Sequence, residues 1–422
     1  MHSVTNAIPT GTIASIPAKA HAHRALICAA LANSPSTILL SRTSKDIDAT
    51  MDSLRGLGAH VVYENKIVTV TPGPAPAKGN VVPHESGTTL RLLLPVAASI
   101  CNDVDVDAKG RLPDRPLEPM LGEMKAHGVI FSQDKPPFTM TGRLQGGNFS
   151  MVGDVSSQFF SGLLLAAPQI GLSTITSTTP LQSSDYVTLT TETMRDFGVE
   201  VEHTLPDTNI NEAFTVPFGA SFIGRDNYQI EGDWSNAAIW MVAAGMTGKP
   251  ITITGMNKNS VQADRRIMQV MIDAGCDVVW DGMNVTVTGR ASKPIHADLE
   301  QMPDMLPVMA ALACSISGES SFIKGARLRL KESDRLIAVA NLVRDLGGTV
   351  REEGDDLYII GSGILKGGHG DCVNDHRLVM AGTLMALISE NPVTLQDSEA
   401  ITKSYPHFFE DWNLLGGNAQ LV

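Results

Sequence analysis

The apolar positions of this chain fall into two kinds of run. One kind is apolar on nearly every face and rich in small residues: 25–32, 90–100, 159–167, 237–246, 306–316 and 378–388. A helix apolar all round is a buried helix. None of these runs reaches the roughly 20 residues that a membrane span needs. The first follows Arg24 and faintly resembles a secretion signal, but it is short, starts late and recurs five more times, so it reads as a buried helix as well. The second kind is amphipathic at helical spacing, ends on a Gly and leads into a short alternating strand. Leu54-Arg55-Gly56-Leu57-Gly58-Ala59-His60-Val61 is one instance, and Met194-Arg195-Asp196-Phe197-Gly198-Val199 is another.

The terminal glycines stand at 58, 128, 198, 275, 347 and 416, separated by 70, 70, 77, 72 and 69 residues. Each lies where a helix C-terminus favours a positive φ, which Gly adopts without a Cβ clash. Strand pairs follow: 61–63 with 67–70, and 278–280 with 285–287, the latter joined through the turn signal Asp281-Gly282. The pattern predicts six copies of one α/β unit. A period near 70 is too long for the usual solenoids of ~20–50 residues. Three copies can close on themselves with helices inside and sheets outside, so six make two such domains. The wider interval between the third and fourth glycines marks a crossing between them near 228–233.

Composition agrees and narrows the function. With 422 residues, 43% of them apolar and 18% charged, the chain suits two globular domains. Its net charge of −13 disfavours nucleic-acid binding, which needs a basic surface. An acidic protein still binds anions if its cations converge. The five cysteines (Cys28, Cys101, Cys276, Cys314, Cys372) are far apart with no CxxC spacing, which is the expectation for buried free thiols in a reducing cytoplasm.

Cations recur around the predicted helix starts: Lys19, Arg24, Arg115, Lys331, Arg335, Arg377 and Lys403. N-capping accounts for Ser, Thr, Asp and Asn at such places, and it is the expectation for Thr43, Ser44, Asp264 and Ser333. It does not account for Lys and Arg, which oppose the helix dipole there. Converging cations and helix N-termini make a phosphate and carboxylate site. His21 and His23 stand two apart with no Cys or carboxylate beside them, so no metal site is expected. Gly87, in the loop Ser86-Gly87-Thr88-Thr89, leaves room for a ligand to approach the backbone.

Several stretches carry a resemblance. Leu328-Arg329-Leu330-Lys331-Glu332-Ser333-Asp334-Arg335-Leu336, Asn374-Asp375-His376-Arg377 and Val155-Ser156-Ser157-Gln158-Phe159 resemble signatures of the 3-phosphoshikimate 1-carboxyvinyltransferase (5-enolpyruvylshikimate-3-phosphate synthase) family of enolpyruvyl transferases. The likeness runs over essentially the whole chain. It implies a two-domain inside-out α/β barrel, each domain three βαβαββ-type repeats with buried helices and outer sheets. With crossings near 14–17 and 228–233, the expected domains are 1–16 with 231–422, and 17–230.

The resemblance further implies transfer of the enolpyruvyl group of phosphoenolpyruvate to the 5-hydroxyl of shikimate 3-phosphate, with loss of phosphate, by addition and elimination. Phosphoenolpyruvate would be held by Lys19, Gly87, Arg115, Gln158, Arg335, Arg377 and Lys403. Shikimate 3-phosphate would be held by Lys19, Arg24, Ser156, Ser157, Gln158, Ser183, Tyr186, Asp304 and Lys331. The chemistry would rest on Asp304 as base, on Glu332 with Lys19 for proton transfer at C3, and on His376 and Lys403 at the departing phosphate. No metal or organic cofactor is implied, because phosphoenolpyruvate carries its own leaving group. A cytoplasmic monomer acting on small molecules, without nucleic acid or membrane, is the expectation, and glyphosate is the expected inhibitor.

Three positions depart from the family's pattern: Ala20 stands where Ser usually follows the Lys, Glu85 where Asn is frequent, and Arg327 where many members have Asn. Two other readings stay open on the residues alone. A UDP-N-acetylglucosamine enolpyruvyl transferase would share fold and reaction, but that family typically carries a reactive Cys in the loop matching 111–115, and none stands here. An inactive paralogue with a binding role is the other.

Overall fold

A computed structural model describes residues 1–207 and 211–422. The chain separates into two compact units: a split unit, Met1–Ile16 with Glu231–Val422, and a continuous unit, Pro17–Ile230. The continuous unit holds α1 (Lys19–Ala30), α2 (Lys45–Gly56), α3 (Gly87–Ile100), α4 (Met120–Ala126), α5 (Ser157–Ile170) and α6 (Asp185–Asp196). The split unit holds α7 (Trp234–Thr247), α8 (Ile267–Asp273), α9 (Leu306–Cys314), α10 (Arg335–Asp345), α11 (His376–Met385) and α12 (Phe408–Leu414).

The all-apolar runs form the odd-numbered helices, which are buried. In α3 the consecutive residues Leu92, Leu93 and Leu94 are all 0% exposed, so no face of that helix meets solvent. Each such side chain contributes roughly 1.5–3 kcal/mol of burial free energy. Within the continuous unit α3 packs on α5 and both meet α1; within the split unit α9 packs on α7 and α11. Small residues permit this closeness: a Cβ at Gly162 of α5 would lie 2.5 Å from the Arg91 carbonyl of α3. Each unit has its own hydrophobic cluster. Among the described residues no helix is long and apolar enough to cross a membrane.

Most odd-numbered helices begin a few residues ahead of their apolar run. The polar residues there (Lys19, Arg24, Thr88, Gln158, Ser235, Arg377) belong to the opening turns of the helices, not to loops before them. The even-numbered helices end as the pattern predicts: Gly58, Gly128, Gly198, Gly275, Gly347 and Gly416 have φ of 104°, 98°, 89°, 100°, 87° and 94°.

Among the described residues there are six four-stranded sheets with one common order. In the second repeat, Gly79–Val81 pairs parallel with Asp103–Val106, which pairs antiparallel with Phe138–Thr141, and that strand with Ile130–Phe131. This is a βαβαββ unit, and each unit of the chain is an inside-out α/β barrel of three. Strand membership at the crossings is less regular than the periodicity suggests. Gly11–Ala14, which leads into α1, pairs parallel with Ile251–Thr254 of the split unit. Tyr228–Gln229, which leads into α7, pairs parallel with Ser36–Leu39 of the continuous unit. The first strand of the chain, His2–Thr5, lies between Val393–Gln396 and Asn418–Leu421 and completes the sixth repeat.

Candidate active site

In the split unit the motif residues gather around one guanidinium. Arg335, in the first turn of α10, is 1% exposed. Its Nη1 donates to Asp304 Oδ1 at 2.7 Å and its Nη2 to Glu332 Oε2 at 2.6 Å. Its Nε and Nη2 donate to Asp375 Oδ2 and Oδ1 at 2.9 and 3.3 Å. Asp304 also receives Lys331 Nζ at 3.0 Å. Burial disfavours all these charges; for Asp304 and Arg335 the opposite charges around them outweigh it, and for Lys331 they do not. Burial pushes the Asp304 carboxyl up, yet Lys331, Arg335 and Arg377 together hold it well below the usual carboxylate range. Burial lowers the Lys331 ammonium against the opposing pull of Asp304. The Arg335 guanidinium is desolvated, but Asp375, Glu332 and Asp304 drive its pKa above the usual value.

Asp375 organises the start of α11. It accepts from the Ser333 hydroxyl at 3.0 Å and caps α11 by accepting from the Arg377 amide at 2.9 Å. The two residues before it, Val373 and Asn374, have φ of 41° and 55°. A β-branched residue with positive φ is strained, and the surrounding bonds hold the turn: Val373 N donates to Asp371 Oδ1, and Lys403 Nζ donates to the Asn374 carbonyl, both at 2.8 Å. Next to Asp375 stands His376, buried in the same first turn. Arg377 Nη1 donates to the Ser235 carbonyl of α7 at 3.2 Å. The starts of α7, α10 and α11 and the short turn Pro303–Met305 before α9 therefore bring Asp304, Lys331, Glu332, Arg335, His376 and Arg377 together.

The continuous unit gathers a second set. Lys19, in the first turn of α1, pairs with Asp46 of α2 at 2.8 Å. Gly87 opens α3, and a Cβ there would lie 2.7 Å from Arg115 Nη1. The missing Cβ thus makes room first for the Arg115 guanidinium. Gln158 takes Arg91 Nη1 on its Oε1 at 3.1 Å and donates to Thr88 Oγ1 at 2.9 Å. Ser156 caps α5 through the Gln158 amide at 3.3 Å, and Ser157 is the first residue of that helix. Ser183 has φ 54° and is buried in the turn that delivers Tyr186 to α6.

Arg24 is engaged inside the fold. Nε donates to Thr190 at 2.7 Å, Nη1 to the Ala20 carbonyl at 2.7 Å, and Nη2 to Ser161 and the Tyr186 carbonyl at 3.2 and 3.0 Å. It ties α1 to α5 and α6. Burial lowers its pKa to about 10. The histidines are likewise occupied: His21 bonds Tyr228 at 2.8 Å and His23 bonds Thr50 at 2.6 Å. Burial, helped by Arg24, takes His21 down to about 4, so it is neutral at physiological pH.

Two of the four cap expectations need correction and one is displaced. Ser44 does cap α2, through the Ile47 amide. Thr43 instead donates to the Asp48 carboxylate. Ser333 donates to Asp375, and the cap of α10 is its neighbour Asp334, which accepts from the Ile337 amide. Asp264 lies inside the turn Ala263–Arg266 and accepts from the Ser235 hydroxyl. Carboxylates nearby compete better for these hydroxyls than an amide at a helix start does. Asp375, Asp46 and Arg91 were given no site role by sequence reasoning. Asp375 could have been found, because it sits inside a charged motif at a helix start; Asp46 looks like any first-turn acid.

Residues 7–412 match the family described as EPSP synthase (3-phosphoshikimate 1-carboxyvinyltransferase). The chain belongs to the EPSP synthase family. A 3-phosphoshikimate 1-carboxyvinyltransferase of Clostridium kluyveri is 36% identical over 412 residues, covering 96% of this chain and 95% of that protein. One of Pyrococcus abyssi is 34% identical over 405 residues, covering 95% and 94%. The solved EPSP synthase of Acinetobacter baumannii superposes with a TM-score of 0.81 over 100% of this chain and 99% of that one, at 23% identity. That likeness shows the fold. Membership in the EPSP synthase family bears out the resemblance carried by the motifs around Lys331–Arg335 and Asn374–Arg377.

Proposed function

We propose that this protein is the transferase that moves the enolpyruvyl group of phosphoenolpyruvate to the 5-hydroxyl of shikimate 3-phosphate and releases phosphate, a step toward aromatic amino acids. The observation that carries this reading is the buried charge cluster around Arg335, with Lys331, Asp304, Glu332 and Arg377, in a chain of the EPSP synthase family. Cations held in place by carboxylates are preorganised for an anionic substrate and its transition state. The UDP-amino-sugar alternative is not favoured by any feature of these residues.

The roles follow from the chemistry. Oxygen 5 of shikimate 3-phosphate attacks C2 of phosphoenolpyruvate and loses its proton to Asp304, which Lys331 and Arg335 keep ionised. C3 takes a proton in the same step, through Glu332 and Lys19, giving a tetrahedral phosphate ketal. In the second step the C2–O bond to phosphate breaks, a C3 proton returns to the base, and the enolpyruvyl product forms. His376 and Lys403 stabilise the charge leaving on phosphate. Gly87, Arg115, Gln158, Arg335, Arg377, Lys19 and Lys403 hold phosphoenolpyruvate. Ser156, Ser157, Gln158, Ser183, Tyr186, Asp304, Lys331 and Lys19 hold shikimate 3-phosphate. Arg24 serves that substrate by fixing the backbone of Ala20 and Tyr186.

The two compact units are read as the two globular domains, 1–16 with 231–422, and 17–230. The protein is read as a monomer, and its five buried free cysteines suit the reducing cytoplasm in which it is proposed to work. Phosphate release from phosphoenolpyruvate tests the whole reading. Release is expected with shikimate 3-phosphate and none with a UDP-amino sugar. Release with the UDP-sugar alone overturns it, and release with neither marks an inactive paralogue.

A further inference from the structure

Asp264 has no part in the reaction as just described, yet it is built into the Arg335 neighbourhood. It is 1% exposed and lies in the turn Ala263–Arg266 that precedes α8. Oδ2 accepts the Ser235 hydroxyl, while Oδ1 is buried with no hydrogen-bond partner among the described residues. Ser235 stands in the first turn of α7, and its own carbonyl accepts Arg377 Nη1 at 3.2 Å. One residue thus joins Asp264 to Arg377, by its side chain on one side and its main chain on the other. A buried carboxylate with an unsatisfied oxygen is costly, and an amide of the same size would avoid most of that cost. The cation that favours the negative charge there is the Arg377 guanidinium.

We propose that Asp264 is a positioning residue that fixes Arg377, through Ser235, in the orientation that receives the anionic end of phosphoenolpyruvate. The inference rests on the reading above, which gives Arg377 that ligand. The charged groups acting on Asp264 are Asp233 from the cap of α7, Asp304 from the turn before α9, and Arg377 from α11. Burial, then the like charge of Asp304, raises the Asp264 carboxyl to about 6, against the pull of Arg377 and the Ser235 bond. Its ionised form is the one that attracts the guanidinium, so the positioning weakens as pH falls through that value.

The test uses the full chain and the variants Asp264→Asn, Ser235→Ala and Arg377→Ala. Initial rates are measured with each substrate varied from pH 5 to 8, and thermal unfolding is followed beside them. Asp264→Asn should raise KM for phosphoenolpyruvate about tenfold at pH 7.5, the size of a lost charge-assisted contact. KM for shikimate 3-phosphate should stay within about twofold, without a fall in Tm. Ser235→Ala should follow in the same direction. The rise in KM for phosphoenolpyruvate below about pH 6 should be steeper in the wild type than in Asp264→Asn. If Arg377→Ala raises that KM and Asp264→Asn does not, the inference is wrong and the reading of Arg377 stands. If Arg377→Ala leaves it unchanged, the ligand given to Arg377 is wrong, and the inference falls with it. Equal losses in both KM values with a lowered Tm would make Asp264 a structural residue and overturn the inference.

Discussion

Arg335 and Asp375 form a two-point buried pair, Nε to Oδ2 at 2.9 Å and Nη2 to Oδ1 at 3.3 Å, with exposures of 1% and 0%. The same carboxylate caps α11 and holds the Ser333 hydroxyl. Asp375→Ala therefore removes a charge partner, a helix cap and a hydroxyl anchor at once. Leaving one member of a buried pair uncompensated costs about 3–5 kcal/mol, although Asp304 and Glu332 remain on Arg335. Urea denaturation should show a loss near the lower end of that range. A loss under about 1 kcal/mol would mean that the other two carboxylates suffice.

Lys19 is predicted to be indispensable. Its ammonium meets Asp46 at 2.8 Å, and the reaction passes negative charge onto phosphate and the C3 centre. Lys19→Met keeps length and removes the charge, so turnover should drop at least ~100-fold. The fold should change little, because the pair it breaks is part-exposed. Near-normal rates in the variant would remove Lys19 from the mechanism.

Gly87→Ala should act through Arg115. The added Cβ would stand 2.7 Å from Arg115 Nη1, the far end of a flexible side chain. The guanidinium can move aside, so stability should fall by less than about 1 kcal/mol. KM for phosphoenolpyruvate should rise and inhibition by glyphosate weaken. A dose–response curve identical to the wild type would count against a role for this contact.

Much of the fold was legible because each repeat must bury an apolar helix and end its amphipathic one at a left-handed residue. Those two requirements leave periodic marks, as at Leu92–Leu94 and Gly58. Strand exchange at the crossings leaves none: Gly11–Ala14 and Tyr228–Gln229 are short, and which sheet they join depends on the unit and not on local pattern. The cations of the site were visible because Lys and Arg oppose the dipole at a helix start. Of their carboxylate partners, Asp304 and Glu332 were visible beside the charged motif, whereas Asp46 was not, because an acid in a first turn is what the helix dipole alone would place there. Arg24 shows the limit from the other side: besides the Ala20 carbonyl of its own helix, its donors go to Thr190, Ser161 and the Tyr186 carbonyl, partners that only the packing of α1 on α5 and α6 supplies.

The repeat glycines should differ in what they tolerate. Gly58 and Gly416 both have left-handed backbone, with φ of 104° and 94°. A Cβ at Gly58 would also lie 2.3 Å from the Pro74 carbonyl, whereas at Gly416 its nearest neighbour is the Ile8 carbonyl at 3.6 Å. Gly416→Ala should cost only the backbone term, about 1–2 kcal/mol. Gly58→Ala adds a clash with backbone that cannot move aside, so its loss should be clearly larger. Equal Tm losses in the two variants would show that the carbonyl contact relaxes.

Asp264 gives a stability prediction of the opposite sign. Burial and Asp304 raise its carboxyl to about 6 in the folded chain, against ~3.9 for an unfolded Asp. The folded state therefore holds this proton more tightly, and stability from this group falls as pH rises from about 4 to about 6. Asn mimics the neutral acid at every pH. Asp264→Asn should match the wild type below about pH 4 and exceed it by about 1–3 kcal/mol above pH 6. Paired denaturation curves at pH 4 and pH 8 measure this directly. A variant less stable than the wild type at pH 8 would show that the ionised carboxylate gains more from Arg377 and Ser235 than burial costs it. A gain in stability together with weaker phosphoenolpyruvate binding would mark Asp264 as a residue kept for function at the expense of the fold.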